Sequence, residues 1–444
     1  MDDKETRTCK NLRFSRFAHA FEHPTHPFLY HSIFQTKVFL DRTEWESLRR
    51  FYRTKRYIQL DELTQRLYKL GFIVGKNEDE RTKDLLKREL EKPIELRSLF
   101  LILTERCNYS CSYCYQYPKR DLDMSPAILE KSIRTFIKTT RSFKGLKNIF
   151  FHGGEPLLRH DLMRAACRQV DYLIESGETS NVGLAVSTNG SLINNEIARE
   201  AHAHKVFFAV SLDGFLKKHN CHRSKGHNIY KEVTNGIKVL QRNNVDFSIM
   251  TTVHNQNVRD LAKIAEHFIT KLGANSLGFT ILLGNDKIAP DLDLFADSLL
   301  NAFEVIRRYG VREARLSVQL QAFLEERLNL YDCKEYRGEI VVSPDGQVGP
   351  YLYFIGSRLF FEKSNLKNMD VNKMERFVNF ATNTPLNEDN CLDCQCVGIC
   401  GGGNHYNRYY KMGVLNKHDP DFCVYSKKAL RWMVTDLRKK VFGE

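Results

Sequence analysis

No stretch of this 444-residue chain has the roughly 18–20 consecutive apolar residues of a membrane span. The longest apolar runs, such as Leu99–Leu103, are strand-sized. Met1-Asp2-Asp3-Lys4-Glu5 opens the chain without an apolar segment, so no secretory signal is expected and the cytoplasm is the default location. There is no low-complexity tract and no internal repeat beyond an alternation of strand and helix patterns. Apolar residues make up 42%, with 19 Tyr and 29 Phe, which excludes a mostly disordered chain. The length suits two or three domains. Acidic residues are in deficit, 54 against 67 Lys and Arg, for a formal charge of +13. That surplus favours anionic partners without selecting among them. Twelve cysteines in a cytosolic chain need an explanation other than disulfides.

The cysteines are clustered. Cys107, Cys111 and Cys114 form one group, and Cys391, Cys394, Cys396 and Cys400 a second, flanked by Cys333 and Cys423. Thiols at such gaps can converge on one metal centre. Cys9, Cys167 and Cys221 stand alone and read as small buried hydrophobes.

Residues 28–74 read as a small mixed unit: strands at Phe28–Tyr30, Lys37–Leu40 and Phe72–Val74, helices at Thr43–Lys55 and Gln59–Leu70. A charged helix or linker follows from Lys76 to Lys92, and Pro93 ends it. Six strands are then expected at Leu99–Thr104, Asn148–His152, Gly183–Ser187, Val206–Leu212, Asp246–Thr252 and Ser276–Ile281. Helical periodicity lies between them, at Pro126–Arg141, Asp161–Glu175, Asn195–His204, Tyr230–Arg242 and Val258–Leu272. Six strand–helix repeats predict an α/β parallel sheet or incomplete barrel with function at the C-terminal strand ends. Helices at Asp291–Tyr309 and Val318–Leu330 precede a loop-rich segment from Cys333 to about Lys427.

Cys107-x3-Cys111-x2-Cys114 directly follows the first barrel strand. Three thiolates suit a [4Fe–4S] cluster with one iron left open, whereas structural zinc would want a fourth Cys or His nearby. With Tyr113 before the last cysteine, this segment resembles the radical S-adenosylmethionine (SAM) enzymes. Gly153-Gly154-Glu155-Pro156 after strand two, Ser187-Thr188-Asn189-Gly190 after strand three, Ser211-Leu212-Asp213-Gly214 after strand four, and Arg223 continue the resemblance over about residues 97–285. It implies that the Gly153–Gly154–Glu155 backbone holds the SAM amino group, while Ser187, Asn189, Ser211, Asp213 and Arg223 contact its ribose and carboxylate. It also implies cleavage of SAM to methionine and a 5′-deoxyadenosyl radical that abstracts hydrogen from substrate.

The C-terminal segment resembles the SPASM extension, which carries auxiliary iron–sulfur clusters. Cys391, Cys394, Cys400 and Cys423 match the ligands of one auxiliary [4Fe–4S] cluster, although spacing alone leaves zinc open. The other auxiliary cluster would need thiolates where Tyr351 and Asn404 stand, so it is expected to be lost or altered. Cys333, Cys396 and His405 are leftover candidates for a partial site. Gly401-Gly402-Gly403 allows a tight bend nearby.

Residues 28–74 also resemble the winged-helix leader-recognition units of peptide maturases, which take up a leader as an added strand; a helical cap on the barrel is the plainer alternative. The basic run Arg49–Arg56 fits a solvated amphipathic helix with Phe51 inward, and nucleic acid is not expected as a partner. These resemblances imply a partial (β/α)6 radical SAM barrel (96–300), a winged-helix-like unit (1–95) and a SPASM-type domain (301–444). The expected function is modification of a ribosomally made precursor peptide or protein, with flavodoxin or ferredoxin as electron donor. An anaerobic sulfatase maturase making formylglycine and a non-catalytic iron–sulfur or zinc adaptor are the alternatives. No catalytic base is assigned; Asp286 and Asp345 are acids in plausible loops.

Overall fold

The computed structural model describes residues 12–54, 61–224, 227–331, 337–364, 366–384 and 389–443. Cys9 and Cys333, and Lys55 and Arg56 of the basic run, lie outside these residues. Two small N-terminal sheets come first. Strand β1 (Arg13–Phe14) pairs antiparallel with β5 (Ile73–Val74), and β2 (Ala18–Phe21), β3 (Phe28–His31) and β4 (Lys37–Phe39) form an antiparallel sheet in that order. Helices α1 (Arg42–Thr54) and α2 (Glu62–Lys69) close its core, which gathers Phe14, Leu29, Leu48, Leu67 and Phe72. In the basic run, Phe51 packs against this core, while Arg49 and Arg53 pair with Glu46 and Glu22. Helix α3 (Glu78–Glu91) leads to the main sheet.

Strands β6 (Ser98–Thr104), β7 (Lys147–Gly153), β8 (Val182–Thr188), β9 (Val206–Ser211), β10 (Phe247–Val253) and β11 (Ser276–Ile281) run parallel and pair in chain order. The connections are α4 (Pro126–Thr139), α5 (His160–Glu175), α6 (Asn195–Ala203), α7 (Ile229–Arg242) and α8 (Leu261–Leu272). Alternation explains the layering. Leu99, Leu101, Ile149, Phe151, Leu184, Val186, Phe208 and Val210 join the helices in one large core. Their strand neighbours, including Phe150, His152, Ser187 and Ser211, point to the other face and are half-buried. Helix starts carry their own signals: Ser125 accepts from Ile128 N ahead of Pro126, and Asn194 accepts from Ile197 N.

Helix α9 (Leu292–Arg308) crosses the boundary expected at 300/301, and β12 (Arg312–Glu313) then pairs with β11 at the sheet edge. Helix α10 (Leu316–Leu324) is shorter than its apolar pattern suggests. Strand β13 (Glu339–Val342) returns to pair parallel with β6, and β14 (Gln347–Gly349) and β15 (Glu362–Lys363) extend the sheet antiparallel. The rest comprises α11 (Glu375–Ala381), α12 (Asp389–Leu392), α13 (Val397–Cys400), α14 (His405–Met412) and α15 (Pro420–Phe442). The segment expected to be loop-rich thus contributes a sheet strand and ends in a 23-residue helix packed on α9. Among the described residues, no helix is long and apolar enough to cross a membrane.

Candidate functional site

The C-terminal ends of β6 to β10 bring the expected residues together. Cys107, Cys111 and Cys114 follow β6 on one short loop; all three are free thiols and half-buried. Burial raises the Cys111 thiol to about 11, opposed by the nearby Arg223 guanidinium. The loop is tied to its neighbours: Ser112 N donates to His222 O at 2.8 Å, and Asn189 Nδ2 lies 4.0 Å from Cys107 Sγ and 2.8 Å from Asn108 Oδ1.

The Gly-Gly-Glu turn after β7 fits closely under this loop. Gly153 has φ +150°, and a Cβ there would stand 2.2 Å from Thr104 O. A Cβ on Gly154 would stand 2.2 Å from Arg106 O. Only glycine allows that approach. Glu155 is fully buried and braces two strand ends, accepting from Thr188 Oγ1 (2.7 Å), Asn189 N (2.7 Å) and Leu157 N (3.1 Å). Burial lifts its carboxyl to about 7, against the pull of those hydrogen bonds.

Asp213 and Arg223 form a buried ion pair, Nε to Oδ2 3.1 Å. Tyr113 Oη donates to Asp213 Oδ2 at 2.5 Å, and Thr252 N donates to Oδ1 at 3.0 Å. The Asp213 carboxylate is thereby committed within the protein, and it orients Tyr113 and Arg223. Ser187 and Ser211 differ: both are half-buried, and neither hydroxyl makes a hydrogen bond among the described residues.

His152 was not singled out from the sequence. It shares the half-buried face with Ser187 and Ser211, stands 6.0 Å from the Phe100 ring, and is held neutral by burial, to about 4. Its place before the two glycines and its period-two spacing from Phe150 were the signals available. Asp286 pairs with Lys411, and Asp345 with Arg358, which also pairs with Glu105.

Cys391, Cys394, Cys396, Cys400 and Cys423 line one small cavity with His418 and Lys427. Cys396 thus joins the four expected ligands as a fifth thiol. A hydrogen bond from Cys396, outweighing burial, lowers Cys394 to about 6, helped by Lys427 and His418. The three glycines have φ +62°, +76° and +79°, turning the chain so that Gly402 N donates to Cys400 Sγ at 3.2 Å. Among the described residues no three His, Cys, Asp or Glu side chains converge on a point that could hold a single metal ion. Cluster thiolates each meet a different iron, so by the chemistry of their donors the free thiols on one loop at the first centre and in one small cavity at the second suit that group.

At the place of the other auxiliary cluster, expected to be lost or altered, the side chains serve one another. Tyr351 and Asn404 bond to each other, and the His405 ring nitrogens are taken by Asn383 O and Arg408. Of the isolated cysteines, Cys167 is buried as expected, but Cys221 is exposed on a turn after β9.

A radical SAM superfamily model matches residues 101–268. An uncharacterized protein of Methanocaldococcus jannaschii is 30% identical over 212 residues, 46% of this chain and 71% of that one. The serine-type anaerobic sulfatase-maturating enzyme of Klebsiella aerogenes is 25% identical over 340 residues, covering 72% and 82%. The radical SAM cyclopropyl synthase TigE of Paramaledivibacter caminithermalis is 21% identical over 415 residues, covering 86% and 84%. Among solved structures, anSMEcpe with bound AdoMet has a TM-score of 0.66 at 18% identity over 77% of this chain and 98% of that one. Streptococcus suis SuiB bound to precursor peptide SuiA has a TM-score of 0.57 at 14% identity, covering 93% and 99%. At these identities the structures speak for the fold. Strand-end cysteines, glycine turn, family match and fold agree: this chain belongs to the radical SAM superfamily, whose enzymes use a [4Fe–4S] cluster and S-adenosylmethionine.

Proposed function

We propose that this enzyme reductively cleaves SAM and modifies a ribosomally made peptide or protein, by a cross-link, an epimerisation or a related side-chain change. The observation that carries the reading is the face shared by three half-buried thiols and two unbonded hydroxyls, Ser187 and Ser211, at adjoining strand ends. A cluster and SAM bound there supply the one-electron chemistry that ends in hydrogen-atom abstraction. The chain's own part is placement. Gly153 and Gly154 let the backbone approach the cofactor, Asp213 fixes Arg223 and Tyr113, and Ser187 and Ser211 offer hydrogen bonds to SAM. Cys391, Cys394, Cys400 and Cys423 are the candidate holders of the auxiliary cluster.

The peptide class is supported by the kinship with sulfatase-maturating and cyclopropyl synthase enzymes and by the small sheet before the barrel. Among the described residues strand β4 pairs only with β3, leaving an edge to which an extended leader could add. A flavodoxin or ferredoxin is the proposed electron source. The second reading, formylglycine formation on a sulfatase, draws on the Klebsiella relative; the N-terminal unit and the thiol-free positions 351 and 404 weigh against it.

Anaerobic reconstitution, iron counting and assay of 5′-deoxyadenosine with SAM and reductant test this. Cys107→Ala, Cys111→Ala and Cys114→Ala should each abolish SAM cleavage. Zinc in place of iron, or no deoxyadenosine with any candidate substrate, would sink the enzymatic reading and favour an adaptor. A short adjoining reading frame rich in cross-linkable residues would point to a peptide, and a sulfatase gene to the second reading.

A further inference from the structure

Among the described residues, the place of the first auxiliary cluster is filled by a hydrogen-bonded polar pair. Tyr351 and Asn404 are each only 5% exposed, and Asn404 Nδ2 donates to Tyr351 Oη at 2.7 Å. The other polar atoms of Asn404 are engaged too: Oδ1 caps α14 by accepting from Tyr406 N (2.9 Å) and Asn407 N (3.2 Å), and its backbone N donates to Asp419 Oδ2 (3.2 Å). Around the pair lie rings. The Tyr351 centroid is 5.4 Å from Tyr353, 5.5 Å from Phe380 and 6.0 Å from His405. Tyr353 in turn lies 4.6 Å from Tyr115, the residue after Cys114.

His405, the leftover imidazole, is locked within the same block. One ring nitrogen stands 3.1 Å from Asn383 O, and the 1%-exposed Arg408 places Nη2 at 2.8 and 3.0 Å from the ring nitrogens. Arg408 Nη1 also ties down Leu415 O and Lys417 O. A buried guanidinium against the imidazole repels a second cation, and neither a phenol nor an amide is a thiolate.

We propose that this chain has exchanged the first auxiliary cluster for an iron-free staple, in which the Tyr351–Asn404 bond and the Arg408 anchor hold together what four iron–sulfur bonds would otherwise cross-link. The strands and helices around residues 351–361, 375–383 and 404–417 then fold without metal, whereas the 391–400 turn and Cys423 depend on it.

The test compares the reconstituted full-length protein with the same protein stripped of iron by a chelator, using iron analysis and amide hydrogen exchange. Two clusters give about eight irons per chain. On stripping, exchange in 351–361, 375–383 and 404–417 stays unchanged while that of 391–400 accelerates. Asn404→Ala and Tyr351→Phe each break the hydrogen bond between residues 404 and 351, so they speed exchange in the block roughly tenfold with the iron count unchanged. About twelve irons, the loss of about four irons in either variant, or deprotection of the whole block on stripping would overturn the proposal. Should a variant fail to fold, the wild-type comparison decides alone.

Discussion

Arg223 Nε stands 3.1 Å from Asp213 Oδ2, and the two side chains, 5% and 0% exposed, form an ion pair closed off from water. It lies between the cysteine loop and the end of β9, and Tyr113 hangs from its carboxylate. Removing one partner strands a buried charge, at a cost of about 3–5 kcal/mol. Asp213→Asn and Arg223→Met should therefore each lower the thermal midpoint markedly and loosen Tyr113. Thermal unfolding by circular dichroism measures the first effect, and tyrosine fluorescence quenching the second.

Ser187 and Ser211 offer the opposite case. Among the described residues their hydroxyls have no protein partner to lose, so Ser187→Ala and Ser211→Ala should leave the melting temperature unchanged. Each should weaken SAM binding by about 0.5–1.5 kcal/mol, the worth of one hydrogen bond. Equilibrium dialysis with labelled SAM on the reconstituted protein checks this; full affinity in both variants would remove these residues from the binding site.

Gly154→Ala places a methyl 2.2 Å from Arg106 O, a contact that only a shift of backbone can relieve. The substitution should abolish SAM binding while leaving the auxiliary cluster in place. Electron paramagnetic resonance of the reduced protein, with and without SAM, distinguishes the two centres.

Glu155 has its carboxyl raised to about 7 from an ordinary 4.5, because burial disfavours the anion. Between those values the folded chain holds a proton that the unfolded chain has released. Stability contributed by this group is therefore full below pH 4.5 and declines as pH rises toward 7, by at most ~1.4 kcal/mol per unit. Glu155→Gln should remove that slope from the pH dependence of unfolding of the iron-free chain between pH 5 and 7. An identical slope in both proteins would exclude Glu155 as its source.

Parallel β6 to β11 and their helices were readable because burial writes a period of two or 3.6 into a continuous stretch of chain. Strand β13 was not, because its pairing with β6 joins residues 339–342 to 98–101. A four-residue strand carries no local mark of so distant a partner. Helix α15 escaped notice in a segment dominated by its cysteines, although Asp419 caps it and Pro420 opens it.

The same division runs through the site. Three cysteines after an apolar strand and a glycine pair after the next declare their chemistry in sequence, since covalent spacing alone sets how near neighbouring thiols can come. The bond from Tyr113 to the Asp213 carboxylate and the bond between Asn404 and Tyr351 join residues far apart in the chain, and the freedom of the Ser187 and Ser211 hydroxyls is set by what packs around them. Hydrogen bonding and desolvation act through space, so only the folded chain decided which polar groups are used up and which remain for a ligand.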